Sequence, residues 1–263
     1  MSNPEVLFEI KNHVATITLN RPERMNTISP AMLRELTDYL LAADRDPQVR
    51  VVIVTGTGRA FCAGLDLGEA TRGDKGGIAA GSANASNLDL RSTPPTVLFG
   101  MEKPTICALN GSAAGYGFDT ALGCDIRIAA RGAKLAAAFT KRGVVPESGG
   151  TWFLPRLIGW SKAAELIFTG RTLSADDALA IGLVSEVVDD ALARAQEIAA
   201  EIAANAPLAV QASKRMMRMG LSETFNDHVH HVFLQLLPLF RSADAAEGMK
   251  AFLEKRQPEF HGR

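Results

Sequence analysis

Two short runs constrain this chain more than anything else in it. Val51-Val-Ile-Val54 and Thr105-Ile-Cys-Ala-Leu109 are almost without polar residues, and each empties into a turn of small residues. The first turn begins at Gly56-Thr-Gly58, and the second is Asn110-Gly-Ser-Ala-Ala-Gly-Tyr-Gly117. A strand with one wet face alternates apolar and polar residues; a strand without polar residues must be covered on both faces. A helix is expected after the second turn, from Asp119 to Gly123, and Asp125 to Ala129 reads as a further strand. Strand, small-residue turn and helix in series predict an α/β sheet joined by crossovers.

The flanking segments fit that plan. Val6, Phe8 and Ile10 alternate with polar residues, and His13 to Leu19 continues in β-branched style, with Asn12 suited to a tight turn between them. Asn20-Arg-Pro-Glu-Arg-Met-Asn26 reads as a polar loop. Ser29 is a helix N-cap with Pro30 behind it, and Leu33, Leu36 and Leu40 follow at helical spacing. Residues 68 to 95 hold Gly73, Gly76, Gly77 and Gly81 and end in Pro94-Pro95, which reads as a mobile loop or lid. The last third is helical. Ser174 to Asp177 forms a capping box closed by Gly182, and helices follow over Ala191–Asn205, from Pro207 to Gly220, and from Ser242. Met249, Phe252 and Leu253 form the apolar face of the last. The organisation expected is a core over residues 1–200 and a helical region over 201–263, which either caps the core or joins subunits.

Composition removes several function classes. Lys and Arg number 28 against 29 Asp and Glu, a formal net charge of −1, so the basic excess that nucleic-acid binding requires is absent. Cys62, Cys107 and Cys124 are odd in number, lack a C-x-x-C spacing and sit among apolar or small residues, so reduced buried thiols in a cytoplasmic protein are expected. The opening Met-Ser-Asn-Pro-Glu-Val shows no basic region followed by an apolar core, so no secretory signal is expected, and no apolar run approaches the ~18 residues of a membrane span. No Gly-Lys pair exists for a phosphate-binding loop, and Phe61 stands where a third dinucleotide glycine would be. No G-x-S-x-G elbow occurs either. His228, His230 and His231 lack an H-E-x-x-H pattern and read as an interface or a solvated helix face, with no metal site expected.

Two segments remain: Gly58-Arg-Ala-Phe-Cys-Ala-Gly-Leu-Asp-Leu67 and Asn110 to Asp119. Both put small residues where a strand ends and the chain turns, which leaves backbone N–H groups accessible. They are either ordinary turns in which glycine serves packing, or two donors aimed at one point, an oxyanion hole for charge developing on a carbonyl oxygen.

The pairing resembles the crotonase superfamily, the enoyl-CoA hydratase/isomerase family. Asn20-Arg-Pro-Glu-Arg-Met-Asn-Thr-Ile28 is similar to its opening loop. Ala60 to Leu67 and Asn110 to Gly117 are similar to its two oxyanion segments. Val145-Pro-Glu-Ser-Gly-Gly-Thr151 and Ala251-Phe-Leu-Glu-Lys-Arg256 complete the pattern. The resemblance implies a spiral of β-β-α turns with a C-terminal helical oligomerisation region, assembled as a trimer or a dimer of trimers. It implies an acyl-CoA thioester as substrate, so that coenzyme A is part of the substrate and no separate cofactor is needed. The N–H groups of Leu65 and Tyr116 would hold the thioester oxygen, with Tyr116 in place of the family's usual glycine. Arg24 would lie near the CoA phosphates. Ala63, Gly64, Asp66, Leu67 and Gly117 would line the cofactor arm, and Phe252 and Lys255 would reach CoA on a neighbouring subunit.

The acids depart from the hydratase pattern. One glutamate position of the dedicated hydratases is Asp119 here, and the other is Phe139, which carries no protons. Glu147 stands where the resemblance places the single base of enoyl-CoA isomerases, and burial by Val144, Val145 and Trp152 is expected to raise its pKa. Asp119 is either a second catalytic group or a helix cap. The expected activity is chemistry through a thioester enolate, with isomerase-type favoured over paired-glutamate hydratase. A non-catalytic acyl-CoA binding protein and acyl-CoA hydrolysis are the alternatives.

Overall fold

The computed structural model describes residues 4–66, 68 and 93–263. Residues 69–92 of the expected lid, and Leu67, lie outside the described residues. The last part of that stretch is a helix instead of a loop: Pro94 and Pro95 open α2 (Pro94–Gly100), because proline at the first helical positions loses no backbone bond and presets φ.

The chain begins with an antiparallel hairpin, β1 (Val6–Lys11) and β2 (Val14–Leu19), turned through Asn12 and His13 at positive φ. Helix α1 (Pro30–Arg45) follows. The Ser29 side chain caps it by accepting from the Met32 N–H, and it buries Met32, Leu36, Leu40 and Ala43. From there the chain repeats one manoeuvre three times. A strand joins a large sheet, and a short strand then joins a small one. The large-sheet strands are β3 (Val51–Gly56), β5 (Thr105–Leu109) and β7 (Ile126–Ala130). Their short successors are β4 (Ala60–Cys62), β6 (Ser112–Ala114) and β8 (Lys134–Ala136). With α3 (Tyr116–Gly123) after β6, and α4 (Gly150–Ile158) and α5 (Trp160–Thr169) after β8, this is a spiral of β-β-α turns. Strand β9 (Thr172–Ser174) closes the small sheet antiparallel to β8. After the capped helix α6 (Ala175–Ala180), strand β10 (Glu186–Val188) ends the large one, whose order is β1-β2-β3-β5-β7-β10.

The absence of polar residues in β3 and β5 now has its cause. On one face, Val52, Val54, Cys107 and Leu109 pack with α1 in the main core. On the other, Val51, Ile53, Ile106, Ala108 and Ile128 meet Ala191, Ala195, Ala199 and Ala203 of α7 (Ala191–Ala203). Alanine at every fourth position gives that helix a smooth stripe, so its backbone can lie close against the β-branched residues. The helix also carries the chain across residue 200, so the expected boundary there falls inside an element of the core.

Beyond it come α8 (Pro207–Gly220), α9 (Phe225–Leu239) and α10 (Ala243–Glu254). Buried Lys214 ties α8 to the spiral: its Nζ lies 2.7 Å from Asp125 Oδ2 and donates to the Lys103 carbonyl at 2.9 Å. The expected apolar face of α10 is left open to solvent within the chain, so it does not cap the core. Met249, Phe252 and Leu253 are exposed, and the helix buries Asp244 and Ala251. Asp244 is buried because the C-terminal tail folds back on it, the N–H groups of His261 and Gly262 donating to its carboxylate at 2.7 and 2.8 Å.

Replacing Asp244 by Ala strands those two donors. The expected loss is about 1–3 kcal/mol of stability, read from urea denaturation, with faster amide exchange at residues 261 and 262 than elsewhere in the chain.

Candidate active site

Strands β4 and β6 run parallel, pairing Ala60 with Ser112 and Cys62 with Ala113, and bring the two small-residue turns side by side. Glycine is required at their contact. A Cβ on Gly117 would stand 2.4 Å from the Cys62 carbonyl oxygen and 2.6 Å from its Sγ. Gly64 has φ +106°, and its Cβ position lies 3.7 Å from the Tyr116 nitrogen. Leu65 is bridged to Ile28: the Ile28 N–H donates to Gly64 O at 2.9 Å and the Asp66 N–H to Ile28 O at 3.0 Å. In such a bridge the middle residue's own N–H points the other way. Tyr116 opens α3, where first-turn N–H groups have no helical acceptor. Neither the Leu65 nor the Tyr116 N–H donates to a protein acceptor among the described residues.

The opening loop locks the first of these turns. Buried Asn26 donates from Nδ2 to Thr57 O at 2.9 Å and Ala60 O at 2.8 Å, while its Oδ1 accepts the Arg21 N–H. The Ala63 N–H donates to Met25 O. Asp66, expected along the cofactor arm, is turned inward. It is buried, lies 3.4 Å from both the Arg21 and the Arg24 guanidinium, and also accepts from the Thr27 hydroxyl. Its visible work is to hold loop and turn together. Arg24 keeps half of its side chain in solvent at the rim. Phe252 and Lys255 are exposed at the end of α10.

Asp119 lies on α3 with no solvent exposure. The Gly150 N–H donates to its Oδ2 at 3.3 Å, and the Ser148 backbone also donates to the carboxylate. Burial raises its pKa to about 7; the N–H of Gly150 opposes the rise and the charge of Glu147 adds to it. Gly150 has to be glycine, since a Cβ there would stand 2.5 Å from Asp119 Oδ1. This explains the Glu-Ser-Gly-Gly run and places Glu147 beside Asp119. Glu147 is half-buried, and burial raises its pKa too. The neighbours expected to bury it do not: Val144 and Val145 are 52% and 61% exposed. Trp152, 36% exposed, packs instead on Phe99 and Phe153. Phe139, in the second hydratase position, is buried and contributes no proton.

Two side chains escaped the sequence reading. The Tyr116 hydroxyl and the Ser148 hydroxyl are both buried here. The one available signal was a tyrosine inside a run of glycine, alanine and serine. The histidines form a separate cluster, with Nδ1 of His228 and of His231 at 3.3 and 2.9 Å from Glu223.

Comparison with known proteins identifies the family of the chain. The sequence pattern of the Enoyl-CoA hydratase/isomerase family matches residues 9–263. The chain is 38% identical to 1,2-epoxyphenylacetyl-CoA isomerase of Escherichia coli, over 98% of each chain. It is also 38% identical to (E)-benzylidenesuccinyl-CoA hydratase of Thauera aromatica, over 98% of this chain and 99% of the other. The crystal structure of an enoyl-CoA hydratase from Bacillus anthracis superposes with a TM-score of 0.90 at 35% identity, over 99% of this chain and all of the other. Fold, motifs and relatives agree: the chain belongs to the crotonase superfamily, the enoyl-CoA hydratase/isomerase family.

Proposed function

We propose that the protein converts an enoyl-CoA thioester through an oxyanion-stabilised enolate, with Glu147 as its main acid-base group. The observation that carries this is the placement of two carboxylates of raised pKa beside two N–H groups that have no protein acceptor among the described residues. A proton on the carbon next to a thioester is acidic only insofar as the enolate oxygen is stabilised. The Leu65 and Tyr116 N–H groups supply that stabilisation without reorganising. Glu147 then takes the α-proton and returns it to the γ-carbon, which moves the double bond. Asp119, with a pKa near neutrality, can hold or give up a proton at working pH, and serves the water needed for hydration. Relatives named for isomerase and for hydratase activity both support an enolate site of this kind.

Binding follows from the rim inward. Arg24 meets the CoA phosphates, where a guanidinium can grip two oxygens. Ala63, Gly64 and Gly117 line the thioester arm. Asp66 contributes from beneath, by fixing Arg24 and the turn. Phe252 and Lys255 serve a neighbouring subunit of a trimer or dimer of trimers, working in the cytoplasm. Helix α9 supports the assembly, because among the described residues none of its own is buried, while Phe225 and Phe233, and Phe240 just past its end, are 78%, 53% and 60% exposed. So many exposed aromatics on one element mark an interface. Phe139 favours the second reading, an acyl-CoA binding protein without turnover.

Three outcomes test this reading. Glu147→Gln keeps the shape and removes the base, so thioester affinity should persist while turnover and exchange of α-protons into deuterated water fall by ~10² or more. Asp119→Asn should cost hydration more than double-bond migration. If the parent binds enoyl thioesters and neither exchanges nor converts them, the binding-protein reading replaces this one.

A second expectation concerns pH. Between about 4 and about 7 the folded chain keeps the Asp119 proton while the unfolded chain releases it, so folding loses stability as pH rises through that window. Asp119→Asn has no such proton. Its melting temperature relative to the parent should therefore climb from pH 4 to pH 7 and level off above, by an amount worth a few kcal/mol at most. A difference that is flat with pH would remove Asp119 as a buried acid. Sedimentation at micromolar concentration should show a trimer or hexamer, and Phe233→Glu on α9 should shift it toward monomer.

A further inference from the structure

Among the described residues, three buried side-chain oxygens have no hydrogen-bond partner: Tyr116 Oη, Asp119 Oδ1 and Ser148 Oγ. All three belong to one place. Tyr116 and Asp119 are three apart on α3, which puts them on one face. Ser148 lies between Glu147 and Gly149, and its backbone donates to the Asp119 carboxylate. The charges of Glu147 and Asp119 both act on the Tyr116 phenol. Folded proteins leave few buried polar atoms unpaired, because each one costs the loss of water without a replacement. Three such oxygens in one site point to a bound group that completes them.

Their chemistry defines that group. Burial holds the Tyr116 phenol above its ordinary pKa; the Thr93 side chain, near it but outside hydrogen-bonding geometry, eases this and the neighbouring carboxylates add to it. The phenol therefore stays a neutral O–H donor over the working range. Ser148 offers a second rotatable O–H, and Asp119 Oδ1 accepts when ionised and donates when protonated. Such a set suits a neutral oxygen that both accepts and donates, either a hydroxyl on the acyl group or a water. A plain alkyl chain would leave all three oxygens unpaired, and a site built to bond an oxygen rejects the analogue that lacks it.

We propose that Tyr116 Oη and Ser148 Oγ, with Asp119, form a polar subsite that holds an oxygen substituent of the acyl group, and that the protein thereby prefers oxygenated acyl-CoA thioesters to plain alkyl ones. This rests on the acyl-CoA reading above. It gives Tyr116 two functions: the backbone N–H serves the thioester oxygen, and the side chain determines specificity further along the acyl group.

Calorimetric titration of the full chain with butyryl-CoA, 3-hydroxybutyryl-CoA and 4-hydroxybutyryl-CoA tests it, because Glu147 and Asp119 act at the carbons these hydroxyls occupy. The parent should bind one of the hydroxy thioesters at least ~10-fold more tightly than butyryl-CoA. Tyr116→Phe and Ser148→Ala each remove one oxygen and keep the shape, and each should bring that ratio below about threefold. A merely structural role would weaken hydroxy and plain thioesters alike and preserve the ratio, which would overturn the proposal. So would a parent that binds the three thioesters equally, since the subsite would then hold water only, even if both variants slowed hydration. If butyryl-CoA binds and the ratio test fails, the subsite alone is lost. If none of the thioesters binds, the acyl-CoA reading fails and the subsite with it.

Discussion

The close approach of Gly117 to Cys62 is the contact on which the rest of the site depends. A side chain at residue 117 would overlap the carbonyl, Cβ and sulfur of Cys62 at once. Its absence lets two backbone turns from separate repeats of the spiral touch, and touching turns can aim two N–H groups at one atom. The surrounding structure serves to make this contact inevitable. Parallel pairing of β4 with β6 sets the register, Asn26 clamps the first turn from below, and the Asp66 pairs with Arg21 and Arg24 keep the opening loop pressed on it. Rigid donors are worth more than mobile ones, because no ordering is left to do when charge develops.

Burial then sets the acids. Asp119 is held by backbone donors, which favour its charged form, yet its position inside the protein outweighs them and keeps its proton to near neutrality. Glu147, half in solvent, is shifted the same way by the same cause. Two neighbouring carboxylates in unlike surroundings thus hold their protons to different degrees, which is what the proposed acid-base chemistry would draw on. Gly150 is part of this balance, since any side chain there would displace the carboxyl of Asp119.

Much of this was legible in the residues. Apolar β3 and β5 announced a sheet covered on both faces, and Ser29-Pro30 and Ser174 to Asp177 marked helix starts that the structure confirms. The short strands β4, β6, β8 and β9 were not legible, because three residues carry no periodicity. Helix α9 was noticed only for its histidines, since its apolar residues lie on several sides and no one stripe stands out. The apolar face of α10 was legible, but not its role: periodicity identifies an apolar face without saying what covers it, and within the chain that face is exposed. The surroundings of Glu147 were misjudged because adjacency in sequence was taken for burial, whereas Val144 and Val145 project into solvent. The burial of the Tyr116 and Ser148 hydroxyls was not legible beyond the oddity of a tyrosine among small residues, because it is a product of packing between distant segments.

The tail that folds back on Asp244 bears on how the chain reaches this state. Arg50, just before β3, donates from its guanidinium to the carbonyls of Ala203 and of Phe260, the second across a separation of 210 residues. A contact of that span closes only after nearly all the intervening chain is ordered, and such topologies fold slowly. During synthesis Arg50, at the head of a strand inside the large sheet, must wait for Phe260 before it finds its second acceptor. The spiral is thus assembled from its beginning and sealed from its end.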